Sequence, residues 1–111
     1  MSPATLVVRG HNMKIKIRGV PWSFRRTRTN LGPRKEAPQG LWGLCEFLPR
    51  VISVRPHKDF KSVEKDVDTT IHEVLHALWP NASEKSVNQA AIDLARVLVR
   101  QFDISPRIRG K

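Results

Sequence analysis

From Met13 to Arg18 apolar and basic residues alternate, Met13-Lys14-Ile15-Lys16-Ile17-Arg18, a period of two that predicts a strand with one side buried and the other wet. Gly19 and Pro21 punctuate it, and Trp22-Ser23-Phe24-Arg25 resumes the alternation as a second strand. Residues 27–40 (TRTNLGPRKEAPQG) are rich in Gly, Pro and polar side chains and read as a long mobile loop. Leu41 to Leu48 reads as a third strand, with Trp42 and Leu44 on one face and Cys45 and Phe47 on the other. Val51 to Arg55 makes a fourth, ended by Pro56.

At Ser62 the period changes. Val63, Val67, Ile71, Val74, Leu75 and Leu78 fall on one helical stripe, with Ser62 or Asp59 placed to cap its start and Pro80 to stop it. Asn81 and Ser83 offer caps for a second helix, and Glu84, three residues after Asn81, suits a capping box. Val87, Ala90, Ala91, Leu94, Leu98 and Phe102 form its apolar stripe, and Ser105-Pro106 ends it. The expected fold is therefore α+β: a small antiparallel sheet of three to four strands followed by a two-helix hairpin. One domain is expected over 13–104, with a tail at 1–12, where Thr5 to Val8 could add a short strand, and a basic tail at 105–111. Met13 is a candidate natural start.

Composition narrows the class. A chain of 111 residues has room for one domain, and a domain this small buries a modest share of its surface, so a bound metal would add to its stability. The formal charge is +10, from 20 Lys and Arg against 10 Asp and Glu, which raises the expectation of a polyanionic partner such as nucleic acid. Arg25, Arg26, Arg28, Arg34 and Lys35 crowd one segment, and Arg107, Arg109 and Lys111 close the chain. A single cysteine, Cys45, excludes an internal disulfide framework and any Cys-rich zinc site. No apolar run is long enough for a membrane helix and the first residues lack a signal-peptide pattern, so the cytoplasm is the expected compartment.

The candidate chemistry lies at His72-Glu73-Val74-Leu75-His76, an HExxH run on the first predicted helix. Helix positions four apart lie on one face, so His72 and His76 can both direct an imidazole nitrogen at one zinc ion. Glu73, one step round, is placed to act as general base on a zinc-activated water, which points to hydrolysis of a peptide carbonyl. The 51–55 strand, read as edge-like, comes just before the helix, where zincins place a strand for the substrate backbone to pair with.

The segments DTTIHEVLHALWP and SEKSVNQAAIDLARVLVRQF, with the opening MKIKIRGVPWSF, resemble small phage-encoded HExxH proteins, a group of minimal zincin-like metallopeptidases. More distantly the chain is similar to SprT-like and ImmA/IrrE-like peptidases. The resemblance spans 13–102, with HExxH its one specific motif. It implies zinc at His72 and His76 and a general base at Glu73, and supplies no substrate beyond protein or peptide. The third ligand stays open. Trp79 and Ala82 stand where the metzincin pattern needs Gly and His, and no His follows His76, as SprT-like proteins would require. In an antiparallel hairpin turning near residue 81, positions 84–91 lie level with the histidines. Glu84 is then the first candidate, Asp93 the second, and Asn88 a neutral, weaker one.

Other residues read more plainly. His57 is expected in an exposed loop, His11 in the tail, Cys45 as a small buried hydrophobe, Trp22 and Trp42 as core, and Trp79 packed at the hairpin. Two functions remain in view. One is a zinc metallopeptidase. The other is a basic phage or prophage accessory protein with a structural or vestigial zinc site, binding nucleic acid through residues 25–35 and the C-terminal tail.

Overall fold

A computed structural model of the chain describes residues 6–7, 12–104 and 106–107. The element order is β1 (Leu6–Val7), β2 (Asn12–Ile17), β3 (Val20–Arg26), β4 (Gly43–Glu46), β5 (Val51–Val54), a single 3-10 turn at His57–Asp59, α1 (Val63–Leu78), α2 (Glu84–Phe102) and β6 (Pro106–Arg107). This is the expected α+β arrangement of a small sheet followed by two helices. β1 and β6 form a short parallel pair of their own. Most of the expected 1–12 and 105–111 tails, with His11, Arg109 and Lys111, lies outside the described residues, as does any sign of which methionine starts the chain.

The main sheet has the order β2-β3-β5-β4. β2 and β3 form an antiparallel hairpin, closed by Arg18 and Gly19, both at positive φ, as a tight two-residue turn requires. β4 and β5 form a second antiparallel hairpin, but β3 pairs with β5 in parallel, Ser23 opposite Val51 and Arg26 opposite Val54. The sheet is thus mixed, where an antiparallel one was expected. The order also corrects the edge assignment: β5 is internal, paired on both sides, and among the described residues the edge strands are β4 and β2. The apolar composition of 51–54 fits this, since Ile52, Ser53 and Val54 are all fully buried.

Alternation along the strands gives the sheet one apolar face. Ile17, Trp22, Ile52 and Val54 pack with Ala77, Val74 and Leu78 of α1, and Cys45 and Phe60 join them. α2 packs on α1 through Leu75, Val87 and Ala91, with the small Ala90 and Ala91 side chains permitting a close approach. With only α1 beneath it, α2 buries a narrow stripe, so Leu94 and Phe102, expected in the core, are about half exposed. Ser62 caps α1, accepting from Lys65 N, and Ser83 caps α2, accepting from Ser86 N. The capping position is therefore Ser83, not Asn81.

The 27–40 loop is more firmly held than its composition suggests. Leu31 is 1% exposed, and the Arg55 guanidinium donates to the Leu41 and Gln39 carbonyls while lying 4.5 Å from the Trp42 ring. A second anchor is the buried Asp66 carboxylate at the start of α1. It accepts from Arg26 Nη1 at 2.6 Å and pairs with His57 Nδ1, tying β3 and the 3-10 turn to the helix. His57 is accordingly a structural, largely buried group and not the exposed loop residue expected.

Candidate metal centre

His72 and His76 stand one turn apart on α1, and Pro80 ends that helix within one further turn. Because Ser83 caps α2, Glu84 is the first residue of that helix and faces back toward the last turns of α1. The result is a tight constellation. His72 Nε2 and His76 Nε2 are 3.1 Å apart, and the Glu84 carboxylate places Oε1 2.7 Å from the first and Oε2 2.9 Å from the second. The imidazoles are mostly shielded, whereas Glu84 is open to solvent on its outer side.

The donor set fits a cation. Two imidazole nitrogens and a carboxylate oxygen converge with every ligating atom within 4.8 Å of the others. Three lone-pair groups at such separations repel one another unless a proton or a metal ion lies among them. Donors bound to one tetrahedral zinc at 2.0–2.1 Å stand about 3.3 Å apart; the separations seen, 2.7 to 3.1 Å, are shorter, so the three groups would spread by a few tenths of an ångström to admit the ion. Two histidines and a glutamate, with a fourth position left open, are the ligand set of catalytic rather than structural zinc sites.

Glu73 sits beside this group on the floor of a cleft of about 520 Å³, which His72, His76, Glu84 and Asn88 also line. The opposite wall is the 41–45 segment, including the free edge of β4. The contact between wall and floor is close at one point: a Cβ built on Gly43 would lie 2.9 Å from Glu73 Cγ and 3.1 Å from Thr69 Cγ2. Burial, and after it the Glu84 charge, pushes the Glu73 carboxyl up to about 7, the range suited to a proton acceptor near neutral pH. Burial likewise raises the Asp68 carboxyl, on the cleft wall one turn before His72.

No protein-family model, curated protein or solved structure matches this chain.

Among the third-ligand candidates, the structure brings Glu84 to the histidines. Asp93 is turned elsewhere, accepting from Gln89 Nε2 and lying 3.9 Å from Arg96, and Asn88 lines the cleft. Cys45 also borders the cleft, but burial, with Glu73 and Glu46 adding to it, pushes its thiol up to about 12, so it is not a thiolate nucleophile. Trp42 is not core: it is about half exposed, packed in a tilted pair with Phe60 at 41°, and forms part of the cleft rim. Trp79, expected to pack at the hairpin, is 58% exposed.

The basic segment divides. Arg26 is committed to Asp66, the Arg55 carbonyl and Thr70. Arg28 forms a two-point pair with Asp59, which holds the Asp59 carboxyl below its usual range, and Arg34 donates to the Asn30 carbonyl. Arg25 faces the other side of the sheet from Arg26, and Lys35 is exposed in the loop. Sequence reasoning missed Gly43, Asp68 and Thr69 as cleft residues. For Asp68 a signal existed, its four-residue spacing from His72; for Gly43 there was none, because the strand-to-helix approach is a tertiary contact.

Proposed function

We propose that this protein is a small zinc-dependent metallopeptidase of the zincin-like type, in keeping with its resemblance to phage-encoded HExxH proteins. The observation that carries the reading is the convergence of His72 Nε2, His76 Nε2 and the Glu84 carboxylate beside Glu73 in one open cleft. His72, His76 and Glu84 would hold the ion. Zinc supplies a Lewis acid there, polarising a carbonyl and making water acidic enough to lose a proton near neutral pH.

The chain's own residues supply the remaining parts. Glu73, held next to the ligands by the helix spacing, takes the proton of the attacking water and returns it to the leaving amine. The outer β4 edge along the cleft, unpaired among the described residues, offers backbone groups to an extended peptide, which would add as a further strand. Trp42 at the rim gives such a peptide an apolar surface to lie on. The cleft is short and open, which suits a segment of an unfolded or extended substrate. Among the described residues no helix is long and apolar enough to cross a membrane, and the working compartment we propose is the cytoplasm, the host's if the chain is phage-encoded.

A Glu73→Gln substitution tests the reading with a fluorescent casein and a peptide library as substrates. The expected outcome is zinc content unchanged and hydrolysis lost. Hydrolysis retained in the variant would remove Glu73 from the mechanism. No zinc-dependent hydrolysis by the wild type of any substrate would remove the enzyme reading itself.

A further inference from the structure

Strand alternation gives the main sheet a second face, turned away from the helices. The apolar face is closed by α1, and the opposite one presents Lys14 and Lys16 from β2 and Ser23 and Arg25 from β3, with Ser53 of β5 beside Arg25 in register. A groove of about 530 Å³ opens on it, lined by Asn12, Met13, Lys14, Ser23, Arg25 and Val51, with no carboxylate among them.

Two features separate this groove from an ordinary solvated basic surface. Lys14 Nζ is held over the groove by a 2.7 Å bond to Ser23 Oγ, and two of its three N–H donors remain for a ligand. Beneath it lies Arg25, whose Nε is a buried polar atom with no hydrogen-bond partner among the described residues; Ser53 Oγ, on its cross-strand neighbour outside the groove lining, is another. Buried polar groups are satisfied as a rule, so an orphaned guanidinium nitrogen on an arginine lining a cationic groove favours an acceptor-bearing partner for that side chain. Arg26, Arg28 and Arg34 are all engaged within the chain, whereas among the described residues no carboxylate pairs with Lys14 or Arg25.

We propose that this groove is a phosphate-binding site through which the outer face of the sheet docks the backbone of a nucleic-acid duplex. Oxyanions match the chemistry: Arg25 and Lys14 supply charge-assisted donors and Ser23 a hydroxyl, the side chains that contact phosphate oxygens in protein–DNA interfaces. A duplex is favoured over a single strand because the face bears no aromatic side chain among the described residues, Trp22 and Phe24 both pointing to the core, so bases have nothing to stack on. The formal charge of +10 adds long-range attraction, and Glu46, on the far strand of this face, is its one described acidic residue. The site is independent of the metallopeptidase reading, and Glu73→Gln leaves it unchanged.

The test is fluorescence anisotropy with a labelled random-sequence DNA duplex, titrated from about 50 to 200 mM salt. Lys14→Gln and Arg25→Gln should each lower the slope of log K against log salt by about 0.9, and the double variant by about 2. Lys85→Gln, an equal charge change on the exposed side of α2, should leave the slope as it is. Lys14 is exposed, so its variant stays folded and decides the matter even where loss of Arg25 disturbs the sheet. Four results would overturn the proposal: no salt-sensitive binding by the wild type, a wild-type slope in Lys14→Gln, an equal loss in Lys85→Gln, or tighter binding of a single strand than of the duplex. In a parallel arm with inorganic phosphate alone, amide shifts at Ser23 and Arg25 without any duplex binding would assign the groove to free phosphate and reject the nucleic acid.

Discussion

Replacing Gly43 by alanine probes the meeting of the β4 edge and the candidate base. The new Cβ would lie 2.9 Å from Glu73 Cγ, 3.2 Å from its Oε2 and 3.1 Å from Thr69 Cγ2. Carbon atoms in contact prefer about 3.5–4.0 Å, so the Glu73 side chain must retreat by roughly 0.6–1 Å. Because the cleft beside it is open, the retreat should cost little stability, about 1 kcal/mol at the low end for overpacking, or a fall in Tm of roughly 4–8 °C. Its effect on proton transfer should be larger, since a misplacement of about 1 Å can cost on the order of 100-fold in rate. The expected phenotype is full zinc binding, a small loss of Tm and hydrolysis reduced by about two orders of magnitude. Thermal unfolding, metal analysis and a peptide-cleavage assay read the three quantities. Gly32→Ala is the control: its Cβ meets nothing within 4 Å, its backbone is outside the left-handed region, and it should be neutral or stabilising by about 0.4–1 kcal/mol. Wild-type activity in Gly43→Ala would refute the claim that this contact positions Glu73.

Further outcomes follow from other parts of the molecule. Asp66→Ala leaves Arg26 and His57 without their buried carboxylate and should cost about 3–5 kcal/mol by urea denaturation; a loss below about 1 kcal/mol would show that the network holds nothing. In metal-free protein the Glu73 carboxyl is pushed up to about 7, so the fold holds that proton more tightly than the unfolded chain does. Its stability should therefore fall as pH rises from about 5 to 8, by at most about 3 kcal/mol, and Glu73→Gln should flatten that slope; a slope unchanged in the variant contradicts the assignment. Glu84→Ala should weaken zinc binding by at least about ten-fold in a competitive-chelator titration, whereas Asp93→Ala should leave it unaltered.

The helical part of the site was legible because it is local. His72 and His76 share a face by spacing alone, with Glu73 one step round, and Pro80 with Ser83 constrains the hairpin enough to bring Glu84 level with them. Asp93 fails because it lies two and a half turns further along α2, on another side. The sheet was less legible. Strand order depends on a crossover that no local pattern records, so the β5 segment reads as an edge although β3 pairs with it in parallel and β4 takes the edge. The same limit applies to the arginines: Arg25 and Arg26 are adjacent in sequence, but the pleat sends one to the outer groove and the other to Asp66.

The most direct test of the central claim is elemental analysis of the protein purified without a histidine tag, beside His72→Ala, His76→Ala and Glu84→Ala. About one zinc per chain is expected in the wild type, lost in the histidine variants and weakly held in Glu84→Ala. A wild-type protein that takes up no zinc, even after reconstitution, would contradict the claim.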